Sequence, residues 1–148
     1  MEQPTLPHWP LRTIAVLVTI DDRGAPHAIP VSAPVRAGAD TILLSLHRTR
    51  DSLHRLRENP KVALLVLAEG DTAFTARGIA RVVAEPMQDA PDYAAVEITV
   101  TAIDDHRQPA FTVAAGVDRT WVDDDEKRAL GERIGTLELL AGAQEDPR

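Results

Sequence analysis

"SLHRTRDSLHRLRENPKVALLVL", residues 45 to 67, holds in one run a strand end, a basic turn, a short helix and the start of the next strand. Leu53 and Leu56 fall on one face of residues 51 to 58, Asp51 stands where a cap belongs, and Asn59-Pro60 closes the segment, so the run predicts a helix over 51–58. Four arginines, at 48, 50, 55 and 57, crowd this helix in a chain whose net charge is -7. A strand ending at His47 and a helix starting near Asp51 would leave backbone N–H groups unpaired at the positive end of the helix dipole. With Arg48, Arg50 and the hydroxyls of Thr49 and Ser52 beside them, a phosphate would find several charge-assisted partners. The same arginines also fit a solvated helix face paired with Asp51 and Glu58, and the run alone leaves both readings open.

Working outward, the chain reads as strands. "RTIAVLVTI", 12 to 20, is apolar almost throughout, and "DDRGAPH" then breaks it. "HAIPVSAPVR", 27 to 36, is a second strand in which Pro30 and Pro34 remove ladder donors, which suits an edge or a bulge. "TILLSLH", 41 to 47, precedes the basic turn, "KVALLVL", 61 to 67, follows the helix, and "TAFTARGIARVVAE", 72 to 85, alternates around Gly78, a bulge or close-approach signal. "YAAVEITVTAI", 93 to 103, alternates apolar and polar as a half-buried strand does. Six strands with short connections predict a mainly β (α+β), antiparallel, closed or nearly closed barrel over about 12–103. A C-terminal region over about 104–140 includes a helix across 123–140, with Leu130, Ile134, Leu137 and Leu140 at helical spacing, and the tail "AGAQEDPR" is expected to fray. One domain over 1–148 is expected.

Composition limits the function. Aromatic residues make up 3% of the chain, so the core must come from Val, Leu, Ile and Ala. The acidic balance argues against a nucleic-acid partner, which needs a basic face. The absence of cysteine removes disulfides, thiolate nucleophiles and iron–sulfur ligation. No apolar run reaches the roughly 20 residues of a membrane span, and "MEQPTLPHWPLR" has no signal-peptide pattern, so a cytoplasmic protein without a membrane partner is expected.

The order of strand, "DDRGAPHAIPV" (21 to 31), strand, basic turn, helix, "LRENPKVALLV" (56 to 66) and "FTARGIARVV" resembles the pyridoxamine 5'-phosphate oxidase-like FMN-binding split-barrel family over about residues 12 to 86. The resemblance implies a six-stranded antiparallel split β-barrel with a short helix after strand 3 and a C-terminal helix. It further implies an FMN-dependent oxidoreductase that acts as a homodimer on a small-molecule substrate. Carried over by position, the flavin ring would lie along Pro30, Val31 and Ser32, with Ser45 and His47 facing the same groove, and the phosphate would sit at Arg48, Thr49, Arg50 and Ser52. The chain departs from the family where Asp51 and Ser52 stand at positions that are often basic. A close variant would use the deazaflavin coenzyme F-420 with Arg23, Arg36 and Arg55 along its acidic tail, and two further classes are a non-catalytic protein that binds flavin or haem for storage or sensing and a dimer that kept the fold without a cofactor.

The remaining signals are weaker. His8, His27, His47, His54 and His106 are scattered, so no metal site is expected, and His47 as a haem ligand competes with a plain strand-end histidine. "IDDHR" and "DDDE" read as a turn and a helix start. Trp121 could stack on a ring in a dimeric site or anchor the C-terminal helix. No G-x-S-x-G elbow is present.

Overall fold

The structure is a computed structural model that describes residues 4–145. Its elements follow in the order β1 (Ile14–Ile20), β2 (Pro26–Ser32), β3 (Val35–Arg36), β4 (Thr41–His47), α1 (Asp51–Glu58), β5 (Lys61–Ala68), β6 (Thr72–Ala84), β7 (Tyr93–Asp105) and α2 (Asp124–Glu145). The strands form one antiparallel sheet in the order β2-β1-β5-β6-β7-β4-β3. β2 and β3 are consecutive in the chain yet lie at opposite ends of the sheet, with Ala33 and Pro34 alone between them. The sheet must therefore curl until its ends nearly meet, which makes a half-barrel.

This corrects the expectation of six strands. The stretch 27–36 is two strands, because Ala33 adopts φ 54 and Pro34 lacks an N–H, so the ladder with β1 cannot continue past Ser32. The Ala33 N–H instead donates to the Thr13 carbonyl at 2.8 Å, which holds the corner. The short helix consequently follows the fourth strand.

The turn before β2 explains its own sequence. Gly24 takes φ 82, a conformation that costs a residue with a Cβ, and the Asp21 carboxylate accepts N–H bonds from Arg23 and Ala25, both at 2.9 Å. His27 meets the other Asp21 oxygen at 2.8 Å. At Gly78 both expected features occur together. The β6–β7 register shifts between Arg77 and Gly78, and a Cβ there would collide with the Thr99 carbonyl.

Inward residues of the strands fill the barrel: Leu17 of β1, Leu44 of β4, Leu64 and Val66 of β5, Phe74 of β6 and Ile98 of β7 are all buried, and α1 adds Leu53 and Leu56. The helix bounds match the sequence reading, but its cap does not. Arg50 occupies the N-cap in extended conformation without a side-chain cap bond, and Asp51 lies in the first turn, where its charge faces the positive dipole end.

A second apolar cluster lies outside the barrel, where Leu43, Val35 and several alanines meet Leu130, Ile134, Leu137 and Ala141 of α2. The Asp123 carboxylate caps this helix, accepting the Glu126 N–H at 2.8 Å. α2 starts one residue late and runs beyond 140, because Ala141 extends the buried stripe; residues 141 to 145 are helical and not frayed, while 146–148 lie outside the described residues. Each large buried side chain on the stripe contributes about 1.5–3 kcal/mol, while Gly131, Gly135 and Gly142 each cost a helix about 1 kcal/mol, so few contacts decide whether α2 is docked. Among the described residues, no helix is long and apolar enough to cross a membrane.

Ile134→Asp should therefore place an unpaired carboxylate in the second cluster and destabilise the protein by about 3 kcal/mol or more, read as a fall in melting temperature. An unchanged melting temperature would show that α2 does not dock. Asp21 gives a pH test. The hydrogen bond from His27, then those from Ala25 and Arg23, hold its carboxyl down at about 2. A depressed carboxyl stabilises the fold above its unfolded value of about 3.9 and loses that contribution as pH falls through the folded value. Asp21→Asn should flatten the decline in melting temperature between about pH 4 and 2, and a decline as steep as the parent's would count against the turn.

Candidate functional site

β3 pairs with β4 only at Ile42 and Leu43, so Ser45, Leu46 and His47 have a strand neighbour on their β7 side alone. Across the resulting split lies the end of β2. A pocket of about 100 Å3 forms there, lined by Pro30, Val31, Ser32, Ser45, Leu46, His47, Arg50, Tyr93 and Arg133. The predicted residues of β2 and β4 are thus brought together with Arg50.

The lining contains donors and cations and no carboxylate. The His47 ring receives the backbone N–H of Thr49 at its Nδ1, 3.3 Å away, with the Thr49 hydroxyl at 2.8 Å from the same atom. An N–H can donate only to a lone pair, so the neutral ring carries its proton on Nε2 and keeps that donor free. His47 also packs edge-on against Tyr93 with ring centroids 5.2 Å apart. Ser32 accepts a hydrogen bond from Arg119 at 3.4 Å.

Six of the described arginines pair with carboxylates. Arg48 and Arg57 both bind Glu85, whose carboxyl is held below its ordinary value first by Arg57 and then by Arg48. Arg77, Arg81, Arg107 and Arg128 pair with Asp104, Glu97, Asp105 and Asp125. Of the described arginines without a carboxylate partner, which also include Arg12, Arg23, Arg36, Arg55 and Arg119, Arg50 and Arg133 line the pocket. The Arg133 guanidinium lies 4.0 Å over the Tyr93 ring, and its Nε is buried without a hydrogen-bond partner.

Several expected contributors lie elsewhere. Arg48 also donates to the Pro91 carbonyl at 3.3 Å and does not line the pocket. Thr49 acts through His47. Ser52 is buried, with its Oγ unpartnered. Trp121 packs against the cluster that α2 completes, under the Arg119 guanidinium at 5.4 Å. Arg36 donates to the Leu6 carbonyl and Arg55 to the Thr19 hydroxyl, while Arg23 belongs to the β1–β2 turn; none of the three lines the pocket.

Tyr93 and Arg133 were not legible as site residues. The available signal was Arg133 itself, three residues after Leu130 and four before Leu137, a cation on an otherwise apolar helix stripe. Larger hollows of about 280 Å3 and 430 Å3 carry carboxylates, from Glu69 and Asp118 in one and from Asp71 and Asp105 in the other, and a third of about 410 Å3 is an open groove on the sheet. Among the described residues no three acidic or histidine side chains are arranged to hold a metal.

A curled antiparallel sheet with a donor-lined pocket in its split defines the split-barrel class. The sequence profile of the pyridoxamine 5'-phosphate oxidase family matches residues 8–113, and the chain belongs to that family. Solved structures agree at the level of fold. A pyridoxinephosphate oxidase family protein of Clostridium acetobutylicum, related to general stress protein 26, is 19% identical, with 65% of this chain and 80% of that one covered and a TM-score of 0.52. An F420 reductase is 16% identical over 68% of this chain and 100% of its own, with a TM-score of 0.54. HupZ of Group A Streptococcus is 15% identical over 72% and 90%, with a TM-score of 0.55. No curated protein is significantly similar in sequence. Arg119, Trp121 and the whole of α2 fall beyond the family match.

Proposed function

We propose that the protein is an FMN-binding oxidoreductase that works as a homodimer. The observation that carries this reading is the pocket lining: in a chain of net charge -7, Arg50, Arg133, His47, Ser32 and Ser45 converge without a carboxylate. Such a set binds an anion, and its residues fit FMN, since the orphaned Arg133 Nε is a donor in want of an acceptor. Arg50 would hold the phosphate, while Pro30, Val31, Ser32, Ser45 and His47 would border the ring. The bound flavin would supply hydride transfer, so the protein's own task is to bind, orient and shield. A small-molecule substrate would enter by the open side of the split.

A deazaflavin with an acidic tail finds less support, because Arg23, Arg36 and Arg55 do not line the pocket. Haem finds less again, since its macrocycle calls for an apolar slot and this pocket is lined by two arginines, a histidine and two serines.

The dimer rests on two further facts. A pocket of this size cannot enclose a flavin, so a second surface must close over it. β1 is apolar on its outward face: Ile14, Val16, Val18 and Ile20 join Leu65 of β5 and the exposed Leu67 and Ile79 in one apolar face. A second copy would bury that face.

Arg50→Ala should weaken FMN by about tenfold or more, as expected for one charge-assisted contact, and leave riboflavin almost unchanged. Arg48→Ala, whose guanidinium Glu85 already holds, should leave FMN affinity within about twofold. Fluorescence titration at fixed salt reads both, and FMN binding by Arg50→Ala as tight as the parent's would dismiss the phosphate site. Light scattering should show a dimer at micromolar concentration and a monomer for Val16→Asp, with FMN and riboflavin weakened together; a monomeric parent would rule the assembly out.

A further inference from the structure

We infer that Arg133 is the second arm of an anion clamp whose first arm is Arg50, that the clamp takes a phosphate monoester dianion, and that its occupancy fastens α2 to the barrel. The inference rests on the pocket being the ligand site, and it adds a residue from a helix beyond the family match.

Two arginines from distant parts of the chain, Arg50 and Arg133, line one pocket of about 100 Å3, a volume suited to a phosphate. Like charges lining one pocket repel, and a buried N–H without an acceptor is destabilising, so an arrangement that leaves the Arg133 Nε orphaned is complete only with an acceptor in that pocket. Tyr93 sets the plane of the Arg133 guanidinium by stacking at 4.0 Å and supplies no acceptor at that face. A dianion offers three oxygens to the two planar forks, a match that a monoanionic carboxylate makes less well.

The linkage follows from where the arms are mounted. Arg50 belongs to the barrel at the start of α1, Arg133 to α2, and α2 docks through a short stripe against a cluster rich in alanine. A ligand that bridges them favours the docked helix by the factor by which docking favours the ligand.

The test uses the full chain with inorganic phosphate, FMN and riboflavin as separate probes. Arg133→Met keeps an unbranched apolar stem over Tyr93 and removes the charge, and Arg133→Lys restores one point charge without the fork. Titration should show FMN and phosphate weakened by about tenfold or more in Arg133→Met, partly recovered in Arg133→Lys, with riboflavin unmoved. Hydrogen exchange should slow in α2 when phosphate is added to the parent and not when it is added to Arg133→Met. Phosphate binding that depends on Arg133 without FMN binding would sustain the clamp and remove the flavin reading. Parent-like FMN and phosphate affinities in Arg133→Met would overturn the clamp and leave the flavin reading standing. A parent that binds neither probe at millimolar concentration would overturn both.

Discussion

The corner at Ala33 and Pro34 is the constraint on which the rest depends. By ending the ladder with β1 at Ser32 and delivering the next residues to β4, it sends one short stretch to both ends of the sheet. Closure, split and pocket are consequences of that single turn. Ala33 occupies a left-handed conformation that costs an alanine about 1 kcal/mol, offset by the hydrogen bond to Thr13 and by full burial of its methyl group. Trp9 reinforces the corner, donating its indole N–H to the Pro34 carbonyl at 2.8 Å while its ring tilts against Phe74.

Much of this fold was readable from local signals. Alternation, the Asp-x-x-Gly turn and the Asn-Pro stop set the strands and α1, since each rests on residues a few positions apart. The split of the second strand was not readable in the same way. Pro30 and Pro34 look equally disruptive in sequence, yet Pro30 sits within the β1 ladder and only Pro34 lies at the break, a difference set by what faces each nitrogen. α2 was foreseen through Leu130, Ile134 and Leu137, and its true length through nothing local, because Ala141 becomes informative only when the surface it touches is known. The site was half legible. Pro30 to Ser32, Ser45, His47 and Arg50 stand near a recognisable turn, whereas Arg133 joins them through a docking that no spacing announces.

Charge placement supplies the second level of organisation. The acidic side chains do not neutralise every arginine; they pair with those of β6, of the segment after β7, of the two ends of α1 and of the α2 surface, and none lines the split. Glu85 illustrates the sorting. By engaging Arg48 and Arg57 together it removes two of the four arginines of the basic run from competition for a ligand, and Thr19 occupies Arg55 as a neutral partner. Arg50 remains, which gives the pocket one cation from that run in a chain of net charge -7.

The prolines of β2 have one more effect. A proline fits a paired strand only where its nitrogen points away from the partner, so Pro26 and Pro30 both turn their missing donors toward the open edge. A foreign strand that tried to add there would find gaps at alternate positions of its ladder. The split therefore stays open while remaining a poor template for chain-to-chain polymerisation, a protection that a closed barrel would obtain only by giving up the opening.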